Sequence, residues 1–269
     1  MQAIINQPKG FNSRTAEDAV PTPDGYTTYP LDFFLDRVKG VVVTQKLEKM
    51  ERATEWMSFG CCKVETENRY QVEDMDSGEK MFICDEESAW CMRNPFFCCD
   101  CICFGCNCNW STNRPFTLIL GTSSKDSSMV LQMKRPCYSN WLPCFLQTIS
   151  VQDKSGYLGC VKQRASCRLR SCTLCGLFEV KDKKDKVIYS INTSCVLSTC
   201  CNTQTEFDIL DKYGKKVGGI GKQPGGVQGR EAVRNLDRLF IVFPTNSSSH
   251  IKAVLMGALF LLDFLFFED

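Results

Sequence analysis

From Arg69 onward, short runs in which apolar and polar residues alternate are separated by turns rich in Asp, Lys, Gly and Ser. Alternation at period two with such punctuation predicts β-hairpins with one buried face. The first copy is Tyr70–Val72, a turn at Asp74–Gly78, then Met81–Ile83. The second is Phe116, Leu118 and Leu120, a turn at Thr122–Ser128, then Val130–Met133. The third is Ile149 and Val151, a turn at Asp153–Gly156, then Tyr157–Val161. The fourth is Phe178 and Val180, a turn at Lys181–Lys186, then Val187–Ile191. The fifth is Phe207 and Ile209, a turn at Asp211–Gly214, then Val217 and Ile220. Leu239–Phe243, stopped by Pro244, and β-branched Val41–Thr44 bring the total to about twelve strands. The spacing alone also fits a propeller or a sandwich.

The pattern breaks at Ile251–Asp269, the only long apolar run. Leu255, Leu259, Leu262 and Phe266 recur at three and four residues, and the opposite face is apolar too, from Ala253 onward. A helix apolar all round is buried, in protein or in a bilayer. The run is near the length of a membrane span, but Asp263 interrupts it, and a carboxylate in hydrocarbon costs about 3 kcal/mol. If the strands close into a barrel, their apolar faces need an apolar filling, which this helix supplies. Span and core remain two readings of one stretch.

Ahead of the hairpins, residues 1–30 hold four of the ten prolines and few large apolar residues, the composition of a flexible tail, with turn chemistry at Pro21–Gly25. Leu31, Phe33, Phe34 and Leu35 predict one amphipathic turn packed on the body. Leu47–Phe59 is ambiguous between helix and strand.

Composition narrows the chemistry. At 269 residues and a net charge of +1 there is no global pull toward nucleic acid, which is not an expected partner. The chain opens on no signal peptide, so its nineteen cysteines are expected to be reduced and cytosolic, and its Asn-X-Ser/Thr sequons to be chance matches. Cys98, Cys99, Cys101, Cys103, Cys106 and Cys108 crowd among Phe96, Phe97, Phe104 and Trp110. Three readings compete: S-acylation, which the interleaved aromatics favour; zinc held by paired C-x₂-C units; and unmodified thiols. A second scatter, Cys172, Cys175, Cys195, Cys200 and Cys201, could also bind metal, but its place at hairpin ends favours ordinary buried thiols. His250 is the single histidine, which removes Ser-His-Asp and His-rich metal chemistry and leaves it a helix-start role. The glycines Gly218, Gly219, Gly221, Gly225, Gly226 and Gly229 lack the Lys-Ser/Thr of a phosphate cradle and read as a mobile loop.

Several stretches resemble the phospholipid scramblase family: Asn113–Thr117, Pro143-Cys144-Phe145-Leu146-Gln147, Gly229–Ala232, Phe243-Pro244, and Ala253–Ala258 through Asp263–Glu268. The resemblance covers Leu31 to Glu268. It implies a Tubby-like fold: mainly β, a closed antiparallel barrel of twelve strands around the C-terminal hydrophobic helix. It implies two regions, a tail at 1–30 and a domain at 31–269 that includes the helix at 251–269. It also implies a non-enzymatic activity, the bidirectional, ATP-independent movement of membrane phospholipids between leaflets, with calcium as trigger. The family's calcium segment maps to Asn235, Asp237 and Asn246, where two carboxylates have become amides, so calcium binding is expected to be weak or absent. The family's palmitoylated block is thinned to Cys137 and Cys144, and the six thiols at 98–108 are expected to take over anchoring at the cytosolic side of the cell membrane. The rival readings are a membrane-tethered adaptor that has lost transport, and a cysteine-nucleophile enzyme, which the lone His250 disfavours.

Overall fold

In the computed structural model the described residues are 20–21, 27–28, 31–46, 67–89, 115–122, 129–136, 146–164, 177–192, 206–223 and 238–267. Strands β1 (Val20–Pro21) and β2 (Thr27–Thr28) pair around the predicted turn, within the stretch read as a tail. Helix α1 (Leu31–Leu35) follows, with Leu31, Phe33, Phe34 and Leu35 all buried as the amphipathic turn predicts.

Twelve strands then close into one antiparallel barrel. They are β3 (Gly40–Lys46), β4 (Arg69–Asp74), β5 (Lys80–Glu87), β6 (Phe116–Gly121), β7 (Met129–Arg135), β8 (Thr148–Asp153), β9 (Gly156–Gln163), β10 (Phe178–Asp182), β11 (Val187–Asn192), β12 (Glu206–Leu210), β13 (Lys216–Gln223) and β14 (Arg238–Val242). Each strand pairs with the next in sequence, and β14 pairs with β3, Arg238 opposite Thr44 and Val242 opposite Gly40, so no edge is left open.

The hairpin turns are set by aspartate. Asp153 Oδ1 accepts from the N–H groups of Ser155 and Gly156, Asp182 Oδ1 from those of Lys184 and Lys186, and Asp211 Oδ1 from those of Tyr213 and Lys215. Each carboxylate satisfies the turn's own donors, which is the reason Asp favours such positions. The glycine run behaves differently from its sequence reading. Gly218, Gly219 and Gly221 lie inside β13, not in a mobile loop, and Gly225, Gly226 and Gly229 lie outside the described residues. A Cβ at Gly218 would stand 2.4 Å from the Val242 carbonyl oxygen, and one at Gly221 would stand 2.8 Å from the Phe240 ring. Small residues let β13 and β14 approach, the second meaning of glycine in a strand.

Helix α2 (Ser249–Leu262) runs through the lumen and continues as a π-helical turn (Asp263–Phe267). The Ser248 side chain caps it, accepting from the Ile251 N–H at 3.5 Å. Ala253 to Phe264 is buried throughout, against inward rungs such as Val72, Leu118, Met133, Val151, Val180 and Ile209. The helix lies against β8, β9 and β10. Gly257 permits that approach, since its Cβ would meet Val151 Cγ2 at 2.7 Å. The apolar run is therefore a core helix here, although by length and composition Ser249–Phe266 could also cross a membrane.

Candidate functional site

The strands give the barrel two unlike ends. At one, short turns join β4–β5, β8–β9, β10–β11 and β12–β13, and α1 covers the start of α2. At the other, long connections leave from β3, β5, β7, β9, β11 and β13, and α2 emerges among them. Two strand residues, Cys84 and Cys160, are the cysteines among the described residues. All the rest of the nineteen fall in connections that join strand ends at the second rim.

At the hairpin end the one buried lysine among the described residues does local work. A short helix leaves carbonyls without partners. Lys252 Nζ donates to the Leu35 carbonyl at 2.9 Å and the Asp36 carbonyl at 2.8 Å, fastening α1 over the lumen. It also lies 6.0 Å from the Phe243 ring centroid. Burial lowers its pKa, opposed by the charge of Asp36.

At the other end the inward-facing positions turn polar. Along β5 the inward residues are Phe82, Cys84 and Glu86; along β7 they are Leu131, Met133 and Arg135. The last inward rung thus holds Asn68, Glu86, Arg135, Gln147 and Gln163, all buried. Glu86 accepts from the Asn68 N–H at 3.2 Å and from Ser88 Oγ at 2.6 Å. Gln45 Nε2 donates to Asn68 Oδ1 at 2.8 Å. Arg135 Nη2 donates to Gln147 Oε1 at 2.6 Å, and the Gln147 N–H donates to Gln163 Oε1 at 3.2 Å. The Arg135 guanidinium lies 5.5 Å from the Phe116 ring, which stacks on Phe264 at 4.0 Å. One rung inward, Tyr70 donates its hydroxyl proton to Asp263 Oδ2 at 3.1 Å. Asp263, the charge that interrupts the apolar run, thereby has a partner at the collar, which meets the cost of burying it.

Beneath this collar the end of α2 is held by the Tyr70–Asp263 hydrogen bond and by Phe264 stacking on Phe116. The collar carries no histidine, and no group of three His, Cys, Asp or Glu residues suited to a metal occurs among the described residues. His250 is exposed in the first turn of α2, at the opposite end. Burial raises the Cys84 pKa well above its ordinary value, with Asp85 and Glu86 adding to the effect, which disfavours the reactive thiolate.

Of the expected site residues, the structure brings together Ala253, Leu255, Leu259, Leu262, Asp263 and Phe266, all on the lumen helix and its last turn. Cys98, Cys99, Cys101, Cys103, Cys106, Cys108 and Cys144 lie outside the described residues, as do Asn235 and Asp237. Asn246 is described: it sits in the turn before α2 with φ 64°, a left-handed conformation that asparagine tolerates. Strand β14 separates it from the collar end, where Arg238 begins the strand. A calcium loop folds its oxygen ligands around one ion. A segment that contains a full strand does not fit that arrangement, and no step below uses calcium. Sequence reading missed the collar itself, because Glu86 and Arg135 stand beside charged neighbours at strand ends and look solvated; only their period-two phase marks them as inward.

A family model described as Scramblase matches residues 30–269. The chain belongs to the scramblase family. It is 31% identical to mouse phospholipid scramblase 1 over 268 residues, which is 99% of this chain and 72% of that protein. It is 30% identical to the rat protein of the same name over 269 residues, 99% of this chain and 70% of the relative. Human phospholipid scramblase family member 5 is 29% identical over 238 residues, 87% of this chain and 76% of the relative. No solved structure matches the chain. The family match spans both α1 and the whole barrel, so the lumen helix and the collar belong to the matched unit.

Proposed function

We propose that this chain is a scramblase-type membrane protein that lets phospholipids move in both directions between leaflets, without ATP and without covalent chemistry. The observation that carries the reading is the match of residues 30–269 to a family whose curated relatives are named phospholipid scramblases. Anchoring would be by acyl chains on Cys98, Cys99, Cys101, Cys103, Cys106, Cys108 and Cys144, at the cytosolic side of the cell membrane. The segregation of thiol-bearing connections to one rim supports this, because thiols that leave from one end can meet one bilayer together. One chain binds only marginally, so two or more would act at once.

The packing of the lumen bears on mechanism. Its helix side chains are 0–1% exposed from Ala253 to Leu262, Lys252 and α1 cover one end, and the buried polar collar lies at the other. A headgroup would not pass through such a barrel, so exchange would run along the outer surface or in a bilayer the protein perturbs. The same packed lumen favours a second reading, a membrane-tethered adaptor that keeps the fold and anchor and has lost transport. Reconstitution separates them. Vesicles with a fluorescent phospholipid in both leaflets are treated with a membrane-impermeant quencher, without ATP and with or without calcium. Loss of well over half the signal supports exchange. Loss of half, as in protein-free vesicles, supports the adaptor.

A further inference from the structure

The hairpin end of the barrel, opposite the collar, has a surface of its own. Every exposed large hydrophobic among the described residues is there: Met75, Tyr157, Val187, Tyr213 and Val242, with Tyr213 at 81% exposure. Three adjacent hairpins, β8–β9, β10–β11 and β12–β13, also carry lysines at their tips: Lys154, Lys183, Lys184, Lys186, Lys212 and Lys215. The neighbouring carboxylates are engaged. Asp153, Asp182 and Asp211 hold their own turns, Asp185 lies 3.4 Å from Lys181 Nζ, and Asp208 lies 2.6 Å from Lys216 Nζ. With Lys181 and Lys216 included, these eight lysines of the three hairpins outnumber those five aspartates, so the surface is net positive. Lys212 Nζ sits 4.8 Å from the Tyr213 ring, pairing a cation with an amphipathic aromatic at the tip. Between the first two hairpins and the start of α2 lies a groove of about 510 Å³. Leu158, Ile188 and Ile251 are among its apolar lining residues; Lys183 and Lys184 line it beside Asp182, whose Oδ1 accepts from the N–H groups of its own turn.

We propose that this end docks on an anionic phospholipid surface, with the groove receiving a headgroup phosphate at Lys183 and Lys184. Tyrosine and lysine suit that partner for separate reasons. An aromatic with a polar tip sits at the headgroup level, and clustered lysines are drawn to the negative surface of an anionic leaflet. The inference rests on the scramblase-type reading and assigns a lipid-contacting face to it. Since the thiols leave from the other rim, this face would act apart from an acyl anchor.

The test is vesicle co-sedimentation of the full chain, treated with hydroxylamine to remove thioester-linked acyl chains. Vesicles are pure phosphatidylcholine, or phosphatidylcholine with about a third phosphatidylserine. Each lysine near an anionic surface is worth about 1 kcal/mol, or roughly fivefold in affinity. Lys183→Gln with Lys184→Gln is expected to weaken binding to the anionic vesicles by roughly 25-fold. Tyr213→Ser is expected to weaken binding to them severalfold. Both variants should keep the wild-type circular dichroism spectrum, since both sites are exposed turns. Equal binding to the two vesicle types, or unchanged binding by both variants, overturns the proposal. A wild-type protein that fails to dock on anionic vesicles yet exchanges lipid in reconstituted membranes would refute this face and spare the function; wild-type docking without exchange would do the reverse.

Discussion

The hydrogen bond between Tyr70 and Asp263 predicts how a core carboxylate answers mutation, and a membrane-spanning one would answer the opposite way. Asp263 is 5% exposed and Tyr70 is 1% exposed, with the hydroxyl 3.1 Å from Oδ2. Hydrogen bonds to charged groups contribute about 1.5–3 kcal/mol, and a buried polar group that loses its partner costs about 1–3 kcal/mol. Asp263→Leu removes the acceptor of the Tyr70 hydroxyl, and Tyr70→Phe removes a donor from the carboxylate. Each is expected to destabilise the fold by about 2 kcal/mol, which in a domain this large lowers Tm by about 4–8 °C. The double variant removes both halves and is expected to be milder than the sum by about 1–2 kcal/mol. Urea melts of the four proteins, followed by circular dichroism, measure the cycle. A helix in lipid would tolerate Asp263→Leu or gain from it. Unchanged or raised stability in Asp263→Leu, with the two variants additive, would refute the placement of Asp263 at the collar.

Gly257→Val should cost about 1–3 kcal/mol by forcing a side chain into Val151, whose Cγ2 stands 2.7 Å from the Cβ position, and a lowered urea midpoint with an unchanged slope is the expected result. Calorimetric titration of the purified protein should show no micromolar calcium binding; a saturable isotherm abolished by Asp237→Ala would contradict this. Acyl exchange should label the wild type more than a variant with Cys98, Cys99, Cys101, Cys103, Cys106 and Cys108 all changed to Ser, and equal labelling would move the anchor to Cys144 or elsewhere. Stoichiometric zinc in the purified protein would instead support the metal reading of those thiols.

The barrel was legible because its signals are local. Alternation in Phe116, Leu118 and Leu120, the Asp-anchored turns, and a helix apolar on every face each declare themselves within a few residues. The closure of β14 on β3 was not local: it pairs Leu239 with Val43, far apart in sequence, and no period reports it. The β13 glycines misled because glycine in a loop and glycine under a neighbouring backbone look alike in sequence; the difference is the Val242 carbonyl beside Gly218. The collar was hidden for a related reason. Arg135 follows Lys134, and apart from its period-two phase with Leu131 and Met133 nothing in the sequence separates the inward guanidinium from the exposed ammonium. The choice between span and core was undecidable from composition, since both demand the same residues. It turns on whether the strands close around the helix.

That closure is the central claim, and deleting residues 251–269 tests it directly. The deletion removes the buried side chains of Val254, Leu255, Met256, Leu259, Phe260, Leu261, Leu262 and Phe264. At about 1.5–3 kcal/mol each they contribute roughly 12–24 kcal/mol, against a total stability of about 5–15 kcal/mol for a typical domain. The truncated chain is expected to lose its cooperative thermal transition and its β-sheet circular dichroism. A truncated protein that stays soluble, melts cooperatively and keeps the β-sheet spectrum would contradict the account and assign the helix to the membrane.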